Sequence, residues 1–254
     1  MKIIAICTNT FREAVRDKIL YSLVFFALLM ICAGSVMDRV TIGQTDKIIL
    51  DFGLASISIF GVLISIFVGV GLVFKEIDKK TIYSIVSKPI ERWQFLLGKY
   101  LGLILTLFVE VALMTFGLAV ALLLFSTKGL QFPFLFAVLL TFIELCLMTS
   151  IAVFFSSFST PFMSGFFTLA VFVIGHLTQD LKAFSLRFDV MGQMFVKVLF
   201  YLLPNLEIFN LRGWAVYGKP VPYDQVSLAM SYGFFYTVTV FVLSVIVFQK
   251  REFK

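Results

Sequence analysis

The chain has 254 residues, of which 60% are apolar and 14% charged, and its 32 Phe exceed what one soluble core of this length would bury. A typical soluble protein is about 45–50% apolar and about 25% charged, so these values exclude a soluble globular domain and a disordered chain. The net charge of +6 does not indicate a nucleic-acid partner, because the basic residues cluster beside the apolar stretches.

Charge-poor runs locate the predicted membrane-spanning helices, since a bilayer core of about 30 Å requires roughly 20 apolar residues per crossing. Pro161 and the polar patch before it separate the fourth run from a shorter fifth. We therefore predict a single all-α integral membrane domain over residues 1–254 with six transmembrane helices. They cover residues 20–37, 52–74, 100–127, 133–155, 162–178 and 225–249.

The N-terminal segment, residues 1–18, is predicted to form an amphipathic interfacial helix. Ile3, Cys7 and Phe11 share one face at helical spacing, and charged residues such as Arg12 lie largely opposite. Such a helix either lies in the membrane surface as a simple anchor or packs on the bundle as an elbow helix. The pattern leaves both alternatives open.

Residues 75–90, between the second and third spans, begin the most charged stretch of the chain. Ile77, Ile82 and Ile85 recur at helical spacing, and Pro89 ends the pattern, so we predict a short amphipathic helix on the cytoplasmic side. The alternative is a solvated basic loop that only fixes the topology.

Residues 180–224 form a long segment between the fifth and sixth spans. Asp189–Leu203 is predicted to be an amphipathic helix that is too short to cross, with Pro204 after its end. It either lies on the outer membrane surface or enters the membrane as a re-entrant hairpin. Trp214 and Tyr217 suit the membrane interface.

Lys and Arg set the predicted orientation. With the N-terminus inside, the 21 basic residues divide 13 to 8 in favour of the inner segments. By the positive-inside rule, both termini are therefore predicted to be cytoplasmic.

Two acids, Glu110 and Glu144, lie roughly midway along predicted spans that are neighbours in the sequence. Buried carboxylates in lipid are costly and are often functional, which makes them candidates for a polar path for substrate or protons. The alternative is a pair of protonated carboxyls that hydrogen-bond a neighbouring helix near Thr115, Thr141 or Thr149.

The sequence contains no P-loop motif, and no nucleophile–base pairing is evident around His176, the only histidine. Cys7, Cys32 and Cys146 lie in or beside apolar stretches and form no disulfide or metal framework. We therefore predict no catalytic residue, bound cofactor or metal on this chain.

The second span carries Gly61, Ser65 and Gly69 four residues apart. Small residues at this spacing let helix backbones approach closely. The face they form is predicted to pack against another helix of the same chain or to form a dimer seam.

The segment Lys75–Lys99 resembles a hallmark of type-two ABC exporter permeases: a Glu, a Gly-Thr, an apolar helix, a Pro, then Gly-Lys entering the third span. Thr81, Pro89 and Gly98-Lys99 match that pattern, whereas Lys80 replaces the Gly before Thr81. The resemblance extends over nearly the whole chain, with Asn9–Ala14 similar to the family's elbow helix and Leu203–Arg212 to its outer segment. The branch it resembles most is that of copper-enzyme maturation permeases.

This resemblance implies a homodimer, or a heterodimer with a related chain, of six-span subunits in the cytoplasmic membrane of a prokaryote. Two cytoplasmic ABC ATPase subunits would bind below and hold the ATP and Mg²⁺. Residues 75–90 would be the coupling helix, with Ile82 and Ile85 as its buried stripe and Glu76, Asp78 and Lys79 as its charge contacts.

The sequence therefore predicts a non-catalytic exporter permease, in contact with membrane lipids. Its Phe-rich spans favour a lipidic or amphipathic substrate over a hydrophilic ion. Two alternatives from other classes are an intramembrane enzyme that uses Glu110, Glu144 and His176, and a membrane scaffold without transport activity.

Overall fold

The computed structural model describes residues 2–36, 45–78, 91–126, 133–178, 181 and 189–250. Over these residues the regular structure is entirely helical, as the composition predicts. The helices are α1 (Lys2–Val15), α2 (Lys18–Val36), α3 (Thr45–Asp78), α4 (Arg92–Phe125), α5 (Pro133–Ser156), α6 (Pro161–His176), α7 (Val190–Leu202), a 3₁₀ turn (Leu206–Phe209), α8 (Arg212–Val216) and α9 (Tyr223–Lys250).

Each of the six predicted spans overlaps a helix of the described residues. Four helices are both long enough and apolar enough to cross a membrane, over Asp46–Gly71, Arg92–Phe125, Pro133–Ser156 and Tyr223–Lys250. The apolar stretches in α2 and α6 are shorter, at Leu20–Ala33 and Pro161–His176. The all-helical membrane fold is thus confirmed, whereas six crossings remain a prediction.

Helix α4 begins at Arg92, well before the predicted start of the third span at residue 100. The difference comes from Lys99, which interrupts the charge-free run but is only 3% exposed. Its ammonium lies 5.5 Å from the centre of the Phe95 ring. A lysine can bury its aliphatic stem in this way. The charge of Lys99 therefore does not mark the point at which the buried part of α4 begins.

Helix α3 lies at the centre of the bundle and packs against α2, α4, α5 and α6. Its buried residues, including Ile49, Ile57 and Ile64, belong to one large apolar core that also takes side chains from α4 and α5. Burial of this kind is favourable against water, whereas in lipid the close packing itself stabilises the contact.

A second, smaller apolar cluster marks one end of the bundle. It joins Phe95 of α4, Val153 of α5 and Phe248 of α9 to Ala14 of α1. The Arg92 guanidinium also donates a hydrogen bond to the carbonyl oxygen of Gln249 at 2.8 Å. The start of α4 and the ends of α5 and α9 therefore share this end, which we call the α1 end.

The opposite end joins the other termini of the same helices. The Ser126 hydroxyl, after α4, donates to Asp46 Oδ1 in the first turn of α3 at 2.5 Å. Phe136 of α5 and Tyr223 of α9 form an edge-on ring pair with centroids 5.8 Å apart. Helices α3, α4 and α5 thus run in alternating directions, and α9 runs parallel to α5.

Helix α1 packs on α4 and buries Thr10 and Ala14. The contact is close because α4 presents glycine there: a Cβ on Gly102 would lie 2.8 Å from the Cys7 carbonyl oxygen. Of the two alternatives for this segment, the structure has the packed helix.

Helix α7 forms where the sequence predicts an amphipathic helix in the segment after the fifth span. The carbonyl oxygen of Asp189 accepts the backbone N–H of Gln193 at its start, as expected for the residue that begins a helix. Met191 and Tyr201 on this helix are largely exposed.

Candidate functional site

Three of the five residues predicted for ATPase coupling, Lys79, Ile82 and Ile85, lie outside the described residues. Glu76 and Asp78 belong to the last turn of α3. That helix has 34 residues, so it extends over about 51 Å, against about 30 Å for a bilayer core. The backbone from the apolar span into the predicted coupling segment is therefore one continuous helix as far as Asp78.

The small-residue face of α3 packs inside the chain. A Cβ on Gly61 would lie 2.5 Å from Leu145 Cδ1 of α5, and one on Gly69 would lie 3.0 Å from the Cβ of Ala152. Ser65, between them, is 1% exposed. Of the two alternatives for this face, the geometry supports close packing of α3 on α5.

Glu110 is 3% exposed in the middle of α4. Within the described part of the chain, neither of its carboxylate oxygens has a hydrogen-bond partner. The Thr115 hydroxyl donates instead to the Val111 carbonyl oxygen of its own helix, at 2.6 Å. Among the described residues, Glu110 therefore makes no hydrogen bond to a neighbouring helix.

Glu144 is equally buried, in the middle of α5. Its Oε1 lies 3.6 Å from Nε2 of His176 on α6, and no described group donates a hydrogen bond to that oxygen. The Thr149 hydroxyl donates to the Leu145 carbonyl oxygen at 2.7 Å rather than to Glu144. The structure thus brings Glu144 together with His176, and not with Thr149.

A pocket of about 220 Å³ opens beside Glu144, between α3, α5, α6 and residues 209–212. Its polar lining includes Glu144, Thr141, His176, Asn210 and Arg212. We call it the Glu144 pocket. Glu110 is not part of its described lining, so the two buried acids do not share this site.

Arg212 lies at one edge of the pocket and pairs with α3. Its Nε lies 2.5 Å from Asp51 Oδ1, and both side chains are about two-fifths exposed. The pair holds the start of α8 against α3, and its two opposite charges offset each other.

Residues 205–212 are held in place by amide side chains. Asn205 Oδ1 accepts the backbone N–H of Glu207, and Asn210 Oδ1 accepts that of Arg212, both at 3.2 Å. The Tyr232 hydroxyl of α9 accepts the backbone N–H of Asn205 at 3.0 Å. The motif that resembles the family's outer segment therefore forms a defined wall of the Glu144 pocket.

Only the intramembrane-enzyme alternative grouped Glu144 with His176, although the sequence held a further signal for their pairing. α5 and α6 are antiparallel neighbours joined at Ser157–Thr160, and both residues lie roughly four helical turns from that connection. The pairing of Arg212 with Asp51 joins residues 161 positions apart and had no such signal.

Among the described residues, no group of three or more His, Cys, Asp or Glu side chains is arranged to hold a metal ion. Glu144 and His176 could exchange a proton or hold a ligand that donates hydrogen bonds. The described lining of the pocket contains no Cys or Lys nucleophile beside them.

No curated protein matches the sequence. Residues 4–253 match the family described as ABC-2 family transporter protein. This match covers nearly the whole chain and confirms the family resemblance, whereas the copper-enzyme maturation branch stays a prediction. The chain therefore belongs to the ABC-2 family of membrane transporter proteins.

Proposed function

We propose that this chain is the transmembrane subunit of an ATP-binding-cassette exporter, driven by ATP hydrolysis on a separate ATPase subunit. The observation that carries the proposal is the family match over residues 4–253. The helical bundle supports it, because four of its helices are long and apolar enough to cross a membrane.

Energy would reach the bundle through the segment at residues 75–90. Support comes from α3, which continues unbroken from the apolar core to Asp78 and so includes the first residues of that segment. Ile82 and Ile85 would fill an apolar cleft in the ATPase, while Glu76, Asp78 and Lys79 would fix the register. ATP and Mg²⁺ would be held by the ATPase.

The surroundings of the bundle would be lipid and a second permease copy, either identical or related. Large apolar side chains remain exposed on the long helices, among them Phe116 at 70% and Phe235 at 68%. Such surfaces are expected where a helix faces lipid or another subunit. The location would be the cytoplasmic membrane of a prokaryote, with both termini in the cytoplasm.

The proposal is tested by the variant Ile82→Asp, co-expressed in turn with each ATP-binding-cassette ATPase of the source organism. An unpaired carboxylate in a desolvated protein interface costs several kcal/mol, enough to release or uncouple the ATPase. We expect reduced co-purification and reduced ATP turnover in one detergent, with normal membrane insertion.

The matched control is Ile208→Asp, the same substitution on a residue that is 39% exposed in the segment predicted to lie on the outer side. It should leave ATPase recovery unchanged. Equal ATPase recovery and turnover for Ile82→Asp and the parent would rule out residues 75–90 as the coupling element. Failure of the parent itself to retain the ATPase would rule out the proposed function.

A further inference from the structure

Among the described residues, none donates a hydrogen bond to Glu144 Oε1, a buried acceptor in the Glu144 pocket. We propose that this pocket binds an amphipathic amine, whose ammonium group donates to Glu144 Oε1 and whose apolar part lies against Leu54 and Phe172. The proposal rests on the proposed function, since the amine would be the substrate class that the permease moves.

The geometry around His176 leaves Glu144 Oε1 open to a ligand donor. His176 Nδ1 lies 3.2 Å from the carbonyl oxygen of Phe172, and a carbonyl only accepts, so Nδ1 carries the hydrogen. In neutral imidazole, Nε2 is then an acceptor, and it faces the oxygen Oε1 of Glu144 at 3.6 Å. Two acceptors facing each other inside a protein are unfavourable unless a proton or a ligand N–H lies between them.

The charges of the lining also favour a cationic ligand. Arg212 and Asp51 form a pair at 2.5 Å and offset each other. Glu144 is the one carboxyl group of the described lining, and the Arg212 charge in that lining is already offset by Asp51. A buried carboxylate in this position is stabilised by a cation, and an ammonium supplies both the charge and several hydrogen-bond donors.

The rest of the lining fits the apolar part of such a ligand. Leu54, Ile59, Phe172 and Phe209 supply aliphatic and aromatic walls. Ile59 lies within the apolar stretch of α3 and is 53% exposed, so the pocket borders the outer surface of the bundle at membrane depth. An amphipathic molecule can reach it from the bilayer. The volume of about 220 Å³ suits a small amine.

Two sources could supply this chemistry: a free amphipathic amine, or the ethanolamine headgroup of a phospholipid. The probe is phenethylamine, titrated by calorimetry into the purified full-length protein in nanodiscs of phosphatidylglycerol. We expect saturable binding to the parent and none of comparable strength for 2-phenylethanol, which has the same shape without the charge.

Glu144→Gln keeps the shape of the side chain and supplies an amide N–H to Nε2 of His176. It should therefore weaken phenethylamine binding by about tenfold or more. The matched control is Glu110→Gln, which alters the other buried acid without touching the pocket and should leave the affinity unchanged. Equal affinity for the parent and Glu144→Gln, or no binding to the parent, would overturn the proposal.

Repeating the titration in nanodiscs that also contain phosphatidylethanolamine separates the two sources. Weaker apparent binding there would assign the site to the lipid headgroup, and unchanged binding would assign it to a free amine. ATPase co-purification is measured on the same preparations. A preparation that retains its ATPase but does not bind phenethylamine loses only this inference, whereas loss of the ATPase from the parent counts against the proposed function itself.

Discussion

The contact between α1 and α4 depends on the absence of a side chain at Gly102. A Cβ there would lie 2.7 Å from Thr10 Cβ and 2.8 Å from the Cys7 carbonyl oxygen. Neither atom is the end of a flexible side chain, so Gly102→Val requires α1 itself to move. Overpacking of this kind costs about 1–3 kcal/mol. For a chain of this size, each kcal/mol lowers Tm by about 2–4 °C, so we expect a decrease of about 4–8 °C for a cost near 2 kcal/mol.

The matched control is Gly165→Val in α6, where an added Cβ would meet Ile66 Cγ2 at 3.5 Å, an ordinary contact. Thermal unfolding in one detergent should separate the two variants clearly. A second measurement tests whether α1 moves: in a background with Cys32 and Cys146 replaced by Ser, Gly102→Val should speed maleimide labelling of Cys7. Equal Tm values for both glycine variants, together with unchanged labelling of Cys7, would refute the packed position of α1.

The other two predictions concern packing and topology. Gly61→Leu should lower Tm, because its side chain would enter the space of Leu145, while the proportion of dimer stays unchanged; a selective loss of dimer would instead indicate that this face forms the subunit seam. Tags at either terminus should be accessible only from the cytoplasm, and a probe at Lys219 only from outside. Labelling of Lys219 solely from the cytoplasm would contradict the six-span topology.

The positions of the helices were predictable because a span needs a long apolar run, and each such run in the sequence contains a helix. The helix ends were less predictable. Lys99 is charged in the sequence and buried in the structure, so a rule based on charge placed the start of α4 several residues late. Burial of Glu110 and Glu144 followed from their position within apolar runs and is confirmed.

The composition of the Glu144 pocket could be predicted only in part. Glu144 was identified as a candidate because an acid within a span is rare. Asp51 and Arg212 lie at the edges of apolar runs, where charges are ordinary, and only tertiary packing brings them together. The hydrogen bond of His176 to the Phe172 carbonyl oxygen could not be predicted either, because it depends on the rotamer of the imidazole.

Because α3 is unbroken from Thr45 to Asp78, a movement at one end of the helix is transmitted to the other end. Leu54 and Ile59, in its N-terminal half, line the Glu144 pocket, and Asp78 is its C-terminal residue. Between these two regions, Gly61 and Gly69 allow α3 to pack closely against α5, and this contact is the point about which the helix would tilt. From Gly61 to Leu54 is about 10 Å and from Gly69 to Asp78 about 14 Å. A tilt of α3 about its contact with α5 would therefore move the pocket wall and the C-terminal end of α3 by similar distances in opposite directions.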